Sequence, residues 1–65
     1  MIAKLQPGRN VEGFTEGKEY EYYDQYDIGE GLLTFHIKRD DNGKPRQFSN
    51  RQFTINFWGI NKNFR

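Results

Sequence analysis

The run Thr34–Phe48, TFHIKRDDNGKPRQF, sets two adjacent aspartates, an asparagine and a glycine between basic residues. Oxygen-bearing side chains around a glycine are the chemistry of a divalent-cation loop. A helix-loop-helix calcium loop takes side-chain ligands at its first, third, fifth and twelfth positions, with glycine at the sixth. With Gly43 as that glycine, the first position is Lys38 and the twelfth is Ser49, and neither is a carboxylate. A tight turn needs no ligand. Asn42-Gly43 suits the positive backbone φ angles of a short hairpin connection, and alternating residues flank it on both sides. The sequence therefore predicts a turn and no metal site, with Pro45 confining the returning strand to an edge or to the turn itself.

Other reactive groups are sparse. His36 is the single histidine, and no serine lies in a nucleophile motif. Asp40 and Asp41 are neighbours, so on an extended chain their carboxylates point apart and cannot work as an acid/base pair. Asp24, Asp27 and Glu30 can meet across a loop, but their spacing specifies no chemistry. The Gly29–Gly31 GxG lacks the third glycine and the following helix of a phosphate loop. The expectation is a protein that is not an enzyme and carries no cofactor.

These groups sit in a chain of 65 residues, one domain, whose folding removes roughly 60% of the surface its unfolded form exposes. There is no cysteine, hence no disulfide framework and no thiolate zinc site, which fits a reducing cytoplasm. No apolar run has the roughly 18 residues needed to span a bilayer, and MIAKLQPGRN lacks the apolar stretch of a signal peptide. A cytoplasmic protein without membrane contact is expected. Half of the apolar content is aromatic, with six Phe, four Tyr and one Trp. Each such ring buries on the order of 150–250 Å², a route by which a short chain builds a core.

Helix signals are poor and strand signals recur. Residues 1 to 13 read as irregular, although Ile2 and Leu5 can add a short strand. GKEYEYYDQYDI places Tyr20 and Tyr22 on one face and Glu19, Glu21 and Tyr23 on the other. LLTFHIK points Leu33, Phe35 and Ile37 inward and Thr34, His36 and Lys38 outward. SNRQF suits one helical turn. FTINFWGI then reads as a strand with Phe53, Ile55 and Phe57 on one face, and residues 61 to 65 as a loose tail unless Phe64 docks. These elements predict an all-β fold: a small five-stranded barrel, with a short helical turn before the last strand.

Four tyrosines fall between residues 20 and 26, and two of them belong to the core by alternation. Tyr23 and Tyr26, with Trp58, are the candidate protein-binding residues, because exposed Tyr and Trp are favoured anchors at interfaces. Charge offers an alternative. From Glu12 to Glu30 there are seven acids against one lysine, while from Asn42 onward five basic residues face no acid. Lys38, Arg39, Arg46 and Arg51 beside aromatic rings are the candidate residues for nucleic acid, with arginines on phosphates and rings on bases. The net charge of +1 favours neither partner. An exposed edge strand on so small a barrel also invites homo-oligomers.

The stretch YYDQYDIGEGLLTF is similar to that of Src-homology-3-like barrels, in which a Tyr-Asp-rich strand and an acidic loop lead into a Leu-Ser-Phe strand. Tyr23-Asp24 and Leu33-Thr34-Phe35 hold the corresponding places, and FSNRQF resembles the family's Phe-Pro-Ser-Asn-Tyr segment. The tandem tryptophans and the closing proline and tyrosine are absent, and Trp58 comes too late to replace them. Polyproline binding is therefore not among the implications. GKEYEYYD, FHIKRDDNGKPRQF and RQF, together covering about residues 13 to 57, resemble very small barrel proteins encoded by bacteriophages and prophages. That resemblance implies an accessory role: binding a host protein and inhibiting or redirecting it, as an anti-defence or host-takeover factor.

Overall fold

A computed structural model describes residues 1–60. The expected loose tail, with Phe64, lies outside the described residues. In chain order the elements are β1 (Ile2–Leu5), β2 (Glu19–Asp27), β3 (Leu32–Ile37), β4 (Arg46–Ser49), α1 (Asn50–Asn56) and β5 (Phe57–Ile60). The strands form one antiparallel sheet in the order β4-β3-β2-β1-β5, curled into a half-barrel. The curl follows from how β2 divides its partners. Its first part, Glu19 to Glu21, pairs with β1, and Tyr22 to Asp27 pairs with β3. Among the described residues no helix is long and apolar enough to cross a membrane.

The all-β expectation, its five strands and a helical element before the last strand are all present. Two local readings change. β1 is not an optional addition to an irregular segment. It lies between β2 and β5, with Ala3 and Leu5 buried. Its four residues are too few to show a period in the sequence, and long-range pairing decides them. The second change is that α1 extends through Asn56 and takes over Phe53 and Ile55 from the expected strand. Ser49 caps it, its hydroxyl accepting from the Gln52 amide at 3.2 Å. Phe53 and Phe57, four residues apart, stack at 5.3 Å, while Ile55 turns to solvent. Gln6 at the end of β1 closes the far end of α1. Its amide donates to the Asn56 carbonyl at 2.8 Å, and its side chain donates to the carbonyls of Thr54 and Phe57, both at 3.0 Å. Carbonyls that a helix end leaves without partners are satisfied there.

A continuous run of rings fills the core. Phe14 contacts Tyr20, Phe48 and Phe57 at 4.9, 5.8 and 5.0 Å, and Phe53 bridges Phe57 to Phe35 and Tyr22. Edge-on and offset ring pairs add about 0.5–1.5 kcal/mol each beyond their buried area. Tyr22 also fixes what β5 can carry, because its hydroxyl occupies the space into which a side chain at position 59 would project. Gly59→Ala should therefore cost about 1–3 kcal/mol through overpacking. Adding Tyr22→Phe, which removes that hydroxyl, should restore most of the loss in urea unfolding. Additive losses would show that the contact does not limit position 59.

Candidate protein-binding surface

The reactive-looking side chains serve the fold. Asp40 opens the β3–β4 turn. Its carbonyl accepts from the Gly43 amide at 3.0 Å, and its Oδ1 accepts from the amides of Asn42 and Lys44 at 2.8 and 3.0 Å. Only Gly43 in this turn has positive φ, +78°. Asn42 does not, so the geometry is a type I turn followed by a left-handed glycine, and of the positive φ angles expected at Asn42-Gly43 only that of Gly43 is present. Asp40 is buried, and its Oδ2 meets Arg46 Nη1 at 3.0 Å. The turn amide of Lys44, together with Arg46, holds its carboxyl below the usual carboxylate range.

Asp41 reaches across to the long connection between β1 and β2. Its Oδ2 accepts from the Thr15 hydroxyl at 2.7 Å, and its Oδ1 accepts from the Tyr20 hydroxyl at 2.7 Å and from Lys18 Nζ at 3.0 Å. Its amide donates to the Gly13 carbonyl at 2.8 Å. The Thr15 hydroxyl, then Tyr20 and Lys18, lower the Asp41 carboxyl from 3.8 to about 2. Burial raises the Tyr20 phenol in turn. The two aspartates lie at the turn rather than on a strand, and each carboxylate is occupied by partners of its own.

His36 stacks flat on Tyr23, with ring centroids 4.8 Å apart, and its Nε2 lies 3.1 Å from the Thr34 hydroxyl. It therefore belongs to a surface ring pair on adjacent strands.

The three candidate aromatics are all exposed, but they do not form one patch. Tyr23 lies on the outer face of the sheet, in a row with His36 and Gln47. Trp58 lies on the same face in a different row, opposite Lys4 on β1. Tyr26 shares the other face of β2 with Tyr20 and Tyr22. There β2 and β3 run past the core, so the face that buries Tyr22 leaves Tyr26 60% exposed.

That overhang gathers the apolar surface. Ile28 is 87% exposed and Leu32 53% exposed at the same hairpin end, with Leu32 on the face of the hairpin opposite to that of Tyr26. Two of the three were not among the sequence candidates. The signal for Leu32 is its parity, since an inward Leu33 forces Leu32 outward. For Ile28 it is the presence of a β-branched apolar residue inside a glycine-rich turn. Asp27 orders this end: its Oδ1 accepts from the amides of Gly29 and Glu30 at 2.9 and 3.3 Å, and its carbonyl accepts from the Gly31 amide at 2.7 Å. An open depression of about 530 Å³ runs from Tyr26, Leu32 and Leu33 to Ser49 and Arg51 at the start of α1. No family model, curated protein or solved structure matches this chain.

The four candidate cations are divided as well. Arg46 is committed to Asp40 and to the Glu12 carbonyl at 2.9 Å, and it lies over the rings of Phe14 and Phe48 at 5.1 and 5.7 Å. Arg51 stands beside Tyr26 at the opposite end of β3 from Lys38 and Arg39. Lys38 and Arg39 share a depression with Lys18, but Glu19, Glu21 and Asp40 line it too. The balance of charge there gives a polyphosphate backbone no basic track to follow.

The Asp41 contacts predict an acid-sensitive fold. Its folded value lies below its unfolded one, so its contribution is complete above about pH 4 and is lost as pH falls towards 2. The thermal midpoint of the protein should drop over that interval. Asp41→Asn should start lower at neutral pH and fall less steeply, with a remaining slope from Asp40. Parallel curves for the two proteins would refute the assignment.

Proposed function

We propose that this chain is a non-enzymatic binding module, a small Src-homology-3-like barrel that engages a protein partner through the free end of the β2–β3 hairpin. The observation that carries this reading is the exposure of Tyr26, Ile28 and Leu32 at one hairpin end, within and on either side of a turn held by its own hydrogen bonds. Turns of this kind ordinarily carry polar residues. Apolar side chains kept in water without a packing role mark interaction sites when they cluster. A preordered turn also loses little conformational freedom on binding, so more of the contact energy appears as affinity. The catalytic alternatives lack support, since Asp40, Asp41 and Arg46 are engaged in holding the fold. The resemblance to phage-encoded barrels adds the expectation that the partner is a host protein of the bacterial cytoplasm, which the module inhibits or redirects.

Tyr26→Ala combined with Ile28→Ser should leave the thermal midpoint almost unchanged, because exposed positions outside the core contribute within about 0.5 kcal/mol. Affinity for a partner purified on the unaltered chain from nuclease-treated bacterial lysate should fall at least about tenfold, the scale of interface anchors. Full affinity in the double variant, or a partner recovered only when nucleic acid is intact, would contradict the reading.

A further inference from the structure

The hairpin end is apolar at its centre and acidic around it. Asp24 precedes Tyr26 by two residues and so lies on the same face of β2. On the other face Asp27 is in register with Leu32, and both line a shallow depression with Glu30. Among the described residues, the side chains of Asp24 and Glu30 make no hydrogen bond or ion pair, and the carboxylate of Asp27 is held by backbone amides without a cation. Arg51 is the one cation among the described residues lining the Tyr26 depression. Asp27 and Glu30 thus lie beside Leu32, and Asp24 lies two residues from Tyr26 on the same face of β2.

Resting on the protein-binding reading above, we propose that the partner presents a basic contact surface: apolar side chains set among lysines or arginines. The carboxylate rim attracts such a surface and repels an acidic one, which sets partner choice and association rate. The same rim disfavours other occupants of the apolar centre. A second copy docked tip to tip would bring Asp27 and Glu30 of each molecule against one another. Nucleic acid and anionic lipid headgroups would meet negative charge on both faces of the hairpin.

The test is selection of a displayed random-peptide library on the immobilised full chain at low salt, with Tyr26→Ala/Ile28→Ser as the counter-selected control. Enriched peptides should combine apolar residues with Lys or Arg. Their binding to an Asp24→Asn/Glu30→Gln variant should be about tenfold weaker or more, and raised salt should close most of that gap. Asp27 is left intact because it holds the turn. Neutral or acidic peptides that still require Tyr26 and Ile28 would overturn the basic-partner inference while leaving the protein-binding reading in place. Failure to enrich any peptide over the control would overturn both. Sedimentation of the chain alone covers the remaining occupant: a dimer dissolved by Ile28→Ser would make a second copy the partner and overturn the proposal.

Discussion

Asp41 ties together parts of the chain that no regular secondary structure connects. The connection between β1 and β2, residues 6–18, has neither strand nor helix, yet it delivers Phe14 to the centre of the ring cluster. What holds it is a set of contacts from the β3–β4 turn. Asp41 binds Thr15, Lys18 and Tyr20 through its carboxylate and Gly13 through its amide, while Arg46 grips the Glu12 carbonyl and covers Phe14. Asp40 in turn fixes the turn and the guanidinium. A short chain with a small core cannot leave one of its large rings on an unanchored loop. The polar clamp and the aromatic core are therefore one device.

This arrangement divides the molecule. One end of β3 belongs to the clamp, where Asp40 pairs with Arg46, Asp41 pairs with Lys18 and turn amides are capped. The other end belongs to the overhanging hairpin, where Tyr26, Ile28 and Leu32 face water and the carboxylates of Asp24 and Glu30 remain unpaired among the described residues. Stability and recognition use different residues, so binding at the hairpin can change without loosening the core. The acid-rich segment between Glu12 and Glu30 supplies both ends. Its Glu19 and Glu21 line a depression with Lys18, Lys38 and Arg39, and its Asp27 and Glu30 line another with Leu32.

Alternation made much of the sheet legible. Tyr20 and Tyr22 inward, with Tyr23 outward, follows from period two on β2, and Ile37 and Phe48 are buried as their strands require. Period fails where tertiary contacts decide. Phe53, Ile55 and Phe57 fit a strand by spacing, but the Ser49 cap and the Phe53–Phe57 stack wind the segment into a helix. The four residues of β1 carry too little pattern to read. The turn at Asp40 was foreseeable as a turn, whereas the reach of Asp41 to Thr15 and Tyr20 joins positions far apart in the chain and leaves no local signature. Of the binding surface, exposed Tyr26 was readable from residue type. Its grouping with Ile28 and Leu32 depends on how far β2 and β3 outrun β1, which is a property of strand pairing.

Native-state amide hydrogen exchange tests the central claim most directly, that the clamp folds as one unit with the sheet. The amides of Phe14, Asp41 and Lys44 should exchange at the rate of global unfolding, together with those of Tyr22 and Ile37 in the core strands. Rapid exchange at Phe14 and Asp41, with Tyr22 and Ile37 still protected, would show a connection that opens independently of the sheet and would contradict the account.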